Sequence, residues 1–479
     1  MQQSIFDELY PKYKITKPIR LIELFSGYGS QALALKYLGV PFEHWKICEW
    51  AVKSIQAYKD VHFTNINIDT SYGYSKDAIV DWLYKKGISS NYNDPMTKEQ
   101  ISRLSEESIR TIFNNIICTN NLVNIQQVKG KDLEIVDKEK YEYICSYSFP
   151  CQDLSNAGLK KGFDDTSTRS GMLWEVERIL TELKEDNALP QVLLMENVPQ
   201  LHDTGNVINF NRWKTRLEEL GYKNYFEDLI ATDYGIPQTR TRCFMISILG
   251  DYNYTFPKKI KLKLGLKDLL EDNVDEKYYL SEKMKKYLYS DDEKYKVSPS
   301  RLIINREIAC TKTTREGCSR ADSSDYICKE LPNNFSLSLA KAKLNEMLLN
   351  NEIKENDVVG INYITRRIKE NDVIVNNNIT PTLTTRCASD YAITTKYKLK
   401  REYGDNQLRI RRLTPRECGR LMGLKDEDIT NILSNQSNSS GYHLFGDSIV
   451  TTCLMGLFGQ LLGIDWTTKF NSEDWWKNE

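Results

Sequence analysis

The sequence predicts an α/β fold, an open sheet flanked by helices, with a second and smaller domain of different texture. Three observations carry that expectation. Short, near-continuous apolar runs alternate with helical patterns up to Leu249. The alternation fails after Pro257, where Lys, Asn and Tyr rise, and does not resume until about residue 410. A glycine turn and an apolar helix then return at 441–463. Strands apolar along their whole length suit burial on both faces, as in parallel sheets, and strand–helix alternation implies right-handed crossovers.

In order, IRLIELF (19–25) is the first strand, SGYGS the turn behind it and QALALKYLG the first helix, with Gly39 as its stop. WKICEW (45–50) reads as a second strand ending in an acid. From about 60 to 124 the chain turns polar, but apolar residues in SKDAIVDWLYKKG and EESIRTIFNNII recur at helical spacing, so this is an inserted helical segment and not a linker. YEYICSYSF (141–149), QVLLMENV (191–198) and RCFMISIL (242–249) are three further buried strands. Helical GMLWEVERILTELKED (171–186) and FNRWKTRLEELG (210–221) lie between them. The expected organisation is 1–254 for the first domain, 255–440 for the small domain including RRLTPRE (411–417), and 441–479 for a return to the first.

Composition narrows the function classes. A chain of 479 residues has room for two or three domains, and 40% hydrophobic with 27% charged residues excludes wholesale disorder. No run approaches the roughly 18 apolar residues of a membrane helix, and MQQSIFDELYPKYK lacks an apolar signal core, so a cytoplasmic, non-membrane protein is expected. Eleven cysteines without a Cys-x-x-Cys pair, beside four histidines, point to reduced thiols and away from a metal site. The net charge is only −1, yet residues 361–420 carry 13 Lys/Arg against 6 Asp/Glu. Such a concentrated surplus suits a polyanion partner, with a solvated lysine-rich face as the plainer alternative.

The candidate chemistry sits where predicted strands end. In ELFSGYGS, glycines after a first strand let backbone approach a ligand and free the next helix's N-terminus. Glu49, at the end of the second strand, is placed to accept hydrogen bonds from ribose hydroxyls, so a nucleoside-type cofactor is expected. SFPCQDLSNAG (148–158) delivers Pro150 and Cys151 into a polar loop at a strand's C-terminal end, whereas Cys145 and Cys243 lie inside apolar runs. Glu196 and Asn197 follow four apolar residues in MENVP's strand, and QTRTR (238–242) puts Arg240 and Arg242 on one face of an extended segment. A thiol, a carboxyl group and arginines beside a nucleoside cofactor match alkylation of cytosine carbon 5. A thiolate adding at carbon 6 makes carbon 5 nucleophilic, and an acid at N3 stabilises the adduct.

The ordered series ELFSGYGS, ICEW, SFPCQDLSNAG, MENV, QTRTR, RRLTPRE and FGDS (445–448) closely resembles the DNA cytosine-5 methyltransferases of bacteria and their phages, over residues 21 to about 460. The resemblance implies a Rossmann-like domain using S-adenosyl-L-methionine, a smaller variable target-recognition domain, and a flipped cytosine in double-stranded DNA as substrate. It implies Cys151 as nucleophile, Glu196 at N3 and the exocyclic amine, Asn197 and Pro150 ordering the loops, Arg242 at the cytosine carbonyl and Arg240 in support. Phe25, Ser26, Gly27 and Gly29 would line the cofactor site, Glu49 hold the ribose, Trp50 and Leu173 pack on the adenine, and Ser448 close the methionine end. Gln238, Thr382, Leu383 and Arg386 would face DNA, the last three in PTLTTR (381–386). A monomer is expected, with a cognate restriction endonuclease as candidate partner.

Three departures stand out. Glu23 replaces the usual Asp of the first block, and Asp447 replaces the usual Asn of FGDS. The acid of the third block is either Asp69 or Asp132, with Asp132 preferred because GKDL lies shortly before the catalytic strand. Other readings remain in view: a tRNA cytosine-5 methyltransferase, a catalytically lapsed DNA-binding relative, and a nicotinamide oxidoreductase resting only on the glycine turn and Glu49.

Overall fold

The computed structural model describes residues 10–150, 170–279, 308–309, 311–312, 410–470 and 474–477, with four short strands between 326 and 394. Its central sheet has six strands: β1 (Ile19–Leu24), β2 (Phe42–Cys48), β3 (Glu142–Tyr147), β4 (Val192–Asn197), β5 (Tyr222–Ile230) and β6 (Thr241–Leu249), in the order β2-β1-β3-β4-β6-β5. β1 to β4 are mutually parallel where they pair, and β6 lies antiparallel to both β4 and β5.

Every residue of β1, β3 and β4 is buried, as continuous apolar runs require. Alternation along each strand divides the core into two layers. Ile19, Leu21, Ile144, Leu194 and Ile246 face one layer, built with α1 (Ser30–Leu38). Ile22, Leu24, Cys145, Leu193 and Met245 face the other, built with α6 (Leu173–Glu185) and α7 (Val207–Leu220). Between β2 and β3 the chain forms α2 (Val52–His62), α3 (Lys76–Lys86), α4 (Lys98–Ser102) and α5 (Glu106–Cys118). The last three close around their own core of Ile79, Leu83, Ile101, Ile112 and Phe113.

Beyond β6 come β7 (Tyr326–Cys328), β8 (Val358–Tyr363), β9 (Val373–Asn377), β10 (Asp390–Thr394) and β11 (Ile410–Arg412). β10, β8 and β9 form a three-stranded antiparallel sheet, and β7 pairs with β11. Four helices follow: α8 (Pro415–Arg420), α9 (Asp426–Leu433), α10 (Asn438–Asp447) and α11 (Thr451–Leu462). The stretch Asn438–Leu462 has the length and hydropathy of a membrane span, but it is broken at Ser448 and largely buried inside the protein.

Three sequence expectations need correction. The sheet is mixed, because apolar continuity in β6 reports burial on both faces and says nothing about direction. β5 was not anticipated: YKNYFEDLI is an edge strand with Glu227 and Asp228 exposed, so it lacks an apolar signature. The boundaries at 254/255 and 440/441 also fall inside one core. Tyr254, Leu264, Leu269, Leu413, Leu421 and Ile432 pack in the same layer as the sheet.

Glu23 is buried on β1, where its carboxyl accepts from the Ala32 N–H at 3.3 Å and the Tyr58 hydroxyl at 2.6 Å. Burial outweighs both donors and pushes its pKa up to about 7, from 4.5. A raised acid favours the folded state below its unfolded value, and that contribution is lost as pH rises through 7. Glu23→Gln should therefore gain stability relative to wild type between pH 5 and pH 8, by about 2 kcal/mol. Thermal midpoints of both proteins across that range test this, and parallel pH profiles would refute the charged-burial account.

Candidate active site

The parallel strands end in a cavity of about 570 Å³, the position where open α/β sheets bind ligands and a volume suited to a cofactor-sized molecule. Each strand contributes through the loop that follows it. After β1 the chain turns sharply, with Phe25, Gly27 and Gly29 all at positive φ, while the Phe25 and Ser26 N–H groups donate to the Cys48 carbonyl. Phe25, Ser26 and Gly27 line the cavity. A Cβ on Gly27 would meet nothing within 4 Å, so its backbone opens directly onto that space. Gly29 does not line it. A Cβ there would come within 2.4 Å of His62 and 2.6 Å of Tyr58, so this glycine permits close packing behind the turn.

After β2, Glu49 turns back toward the first loop. Its carboxyl accepts from the Gly27 N–H at 3.0 Å and the Ala51 N–H at 2.7 Å. The Asn121 side chain bonds both its N–H and its carbonyl. Burial pushes this carboxyl up to about 7, against those donors and with help from the nearby Asp447 charge. Trp50 lines the cavity beside it.

After β3, Phe149 and Pro150 reach the cavity, and the Asn197 side chain donates to the Phe149 carbonyl at 3.0 Å. Asn197 thereby ties the end of β4 to the chain entering the Pro-Cys loop. Glu196 forms an ion pair with Arg242 at 3.1 Å across the β4–β6 pairing. Its carboxyl is shifted upward by burial, with Arg242 and then Arg240 opposing. Arg240 donates to the carbonyls of Lys312 at 2.8 Å, Gly446 at 3.2 Å and Ser448 at 2.6 Å. Ser448 lines the cavity, and its hydroxyl accepts from Tyr28 at 2.7 Å.

The remaining predicted residues lie elsewhere. Asp132 does not line the cavity; it accepts from the Lys129 N–H at 2.8 Å within its own short turn. Asp69 is exposed and bonds Ser71 and Asn114. Val123, Asn124, Ile125 and Gln126, a segment without an acid, line the cavity. Leu173 is packed in the core under α6, while its neighbour Met172 reaches the cavity. Gln238 cannot face DNA. It is fully buried, donating to the Leu421 carbonyl at 2.6 Å and accepting from the Lys312 N–H at 2.8 Å. Cys151, Thr382, Leu383 and Arg386 lie outside the described residues. Sequence reasoning also missed Tyr92 and His443, which stack at the cavity wall with ring centroids 4.0 Å apart.

An open sheet with a cavity at the ends of its parallel strands is the Rossmann-like arrangement of methyltransferases. Solved structures agree on the fold. A methyltransferase of Entamoeba histolytica, EhMeth, superposes with TM-score 0.54 at 13% identity, covering 94% of this chain and 99% of that one. The Dnmt2 methyltransferase of S. pombe gives TM-score 0.52 at 15% identity, covering 93% and 98%. A family model for C-5 cytosine-specific DNA methylases matches residues 87–462. The orphan methyltransferase M.SssI of Spiroplasma monobiae is 37% identical over 56% of this chain and 69% of its own. The type II methyltransferase M2.ScrFI of Lactococcus lactis subsp. cremoris is 35% identical over 58% and 76%. The chain belongs to the C-5 cytosine-specific DNA methylase family and is, with it, a DNA cytosine-5 methyltransferase.

The two glycines of the first turn make a contrast. Gly29→Ala forces a Cβ onto two rings at positive φ, whereas Gly27→Ala carries the φ cost alone. Differential scanning calorimetry should show Gly29→Ala the less stable of the two by about 2 kcal/mol, the scale of overpacking a filled site. Equal midpoints would mean that His62 and Tyr58 move aside freely.

Proposed function

We propose that the chain transfers a methyl group from S-adenosylmethionine to carbon 5 of a flipped cytosine in duplex DNA, through a covalent adduct with Cys151. The observation that carries this reading is the Glu196–Arg242 pair in the wall of the cavity, which Pro150, the residue before Cys151 in the sequence, also lines. The cavity's own chemistry fits the cofactor. Glu49 presents a buried carboxyl at the end of β2, Gly27 leaves open space where a side chain would stand, and Ser26 Oγ is buried without a hydrogen-bond partner. Phe25 and Trp50 supply apolar surface for a purine, and Ser448 bounds the opposite side.

Bound there, S-adenosylmethionine supplies an electrophilic methyl group. Cys151 adds as the thiolate to cytosine carbon 6, which makes carbon 5 nucleophilic; after transfer, loss of the carbon 5 proton expels the thiolate and restores the ring. Glu196 holds N3 and the exocyclic amine. Its upward shift keeps the carboxyl protonated at higher pH than an exposed glutamate, the state that donates to a ring nitrogen. Arg242 balances that carboxyl and faces the cytosine carbonyl, while Asn197 fixes the strand end beside the nucleophile loop.

The region between β6 and β11 serves in this reading as the target-recognition part, with Thr382, Leu383 and Arg386 near the DNA. Its basic surplus would contact phosphates, which position a duplex without reading it. A monomer acting in the cytoplasm, with or without a cognate endonuclease, completes the proposal. Mass spectrometry of nucleosides from a methylation-free host expressing the chain tests it. 5-Methylcytosine should appear in DNA and vanish with Cys151→Ala, and Glu196→Gln should lower the transfer rate at least about 100-fold. The mark in RNA alone would replace this substrate with tRNA or another RNA.

A further inference from the structure

We infer that Asp447 makes the cavity prefer the cationic methyl donor over its uncharged demethylated product. The inference deepens the proposed function and rests on S-adenosylmethionine as the cofactor. Donor and product share the adenosine, the amino group and the carboxylate, and they differ by one methyl and the positive charge on sulfur. Apolar contacts distinguish a single methyl weakly, whereas a fixed carboxylate responds to the charge itself.

Asp447 is built to supply that charge. It ends α10 between two residues whose carbonyls Arg240 binds, Gly446 and Ser448, and Tyr28 holds the Ser448 hydroxyl from the other side. The backbone on both flanks is therefore fixed. The side chain is a lining residue, 55% exposed, so its oxygens open onto the cavity. Its nearest cation is His443 Nδ1 at 3.3 Å, an imidazole charged only when protonated and stacked on Tyr92.

The hydrogen bonds of the cavity's other charged groups are taken up elsewhere, although Arg240 and Arg242 still act on Asp447 through their charge. Arg242 is paired with Glu196, and the guanidinium of Arg240 is engaged by three carbonyls. Glu49 has its oxygens on backbone N–H groups. Burial is the main cause of the raised Glu49, Tyr92 and Glu196 pKa values, and the Asp447 charge adds to each. A group so placed is stabilised by an incoming cation and gains nothing from a neutral thioether. After transfer the positive charge is gone, and the same carboxylate then favours exchange of product for fresh donor.

Calorimetric titration of the full-length protein with S-adenosylmethionine and with S-adenosylhomocysteine tests this. Wild type should bind both. Asp447→Asn should weaken donor binding about five- to tenfold, the scale of one partly screened charge pair, and leave product binding within about twofold. Asp447→Glu, which keeps the charge, should restore most of the donor-to-product ratio, and the thermal midpoints of both variants report whether the fold is intact. Equal changes for the two ligands, or none for either, would overturn the inference and leave the proposed cofactor standing. Wild-type protein that binds neither ligand would remove the cofactor and the inference together.

Discussion

The buried Arg240 guanidinium holds the active-site end of the molecule together. It leaves the start of β6 and binds carbonyls at Lys312, Gly446 and Ser448, joining the sheet to segments 72, 206 and 208 residues further along the chain. Lysine could not take its place, because three carbonyl acceptors in different directions need the guanidinium's fork of donors. Gln238 adds a second tie in the same strand entry, bonding Lys312 and Leu421. Residues sitting two apart in QTRTR thus do structural work on one side, while Arg242, the third of the alternating set, turns to Glu196. These ties bring the α10–α11 corner onto the sheet, where α11 packs on α1 and Leu444, Gly446 and Ser448 line the cavity.

That corner closes a cavity lined by three acids, Glu49, Glu196 and Asp447. Glu49 and Glu196, with Glu23 in the core, have carboxyl groups pushed upward chiefly by burial, whereas the Asp447 side chain is more than half exposed. Their partners separate their roles. Glu23 is enclosed by Tyr58 and the N-terminal turn of α1, so it serves the packing of the first turn. Glu49 is oriented by backbone N–H groups, as a ligand-binding carboxyl needs to be. Glu196 faces a guanidinium in the cavity wall. Asp447 faces an imidazole and open space. Burial marks the first three; the partner decides what each can do.

The sequence was most legible where one physical requirement acts on consecutive residues. β1, β3 and β4 are buried on both faces, so their apolar runs announced them, and the last of these runs closes on Glu196 and Asn197. β5 was hidden because an edge strand with one open face tolerates YKNYFEDLI. Gln238 was misread because it opens a polar, arginine-containing block, and only the tertiary ties with Leu421 and Lys312 reveal a buried amide. Asp132 attracted attention as an acid shortly before β3, yet Asn124 and its neighbours are the residues of that stretch that line the cavity. A domain boundary drawn from composition failed at 254 and 440 because core membership depends on which apolar residues meet, and Leu413 or Leu264 can join the sheet's core from a polar stretch.

The helical segment between β2 and β3 takes part in the site while keeping a core of its own. Its helices are self-sufficient in their packing, with Ile79, Leu83, Ile101 and Phe113 forming a separate core. Such a core lets the segment keep its shape without help from the sheet. The loop between α3 and α4 nevertheless crosses to the cavity: Ser89 N–H donates to the Trp50 carbonyl at 2.8 Å, and the Val52 N–H donates to the Ser89 carbonyl at 2.9 Å. This pairing carries Tyr92, at positive φ, onto the face of His443. The ring stack bridges the segment to α10, the helix that ends at Asp447. A residue from the added segment therefore backs the histidine that faces the cavity's most open carboxylate. The electrostatics of the site are set jointly by the sheet, the C-terminal corner and the added helices.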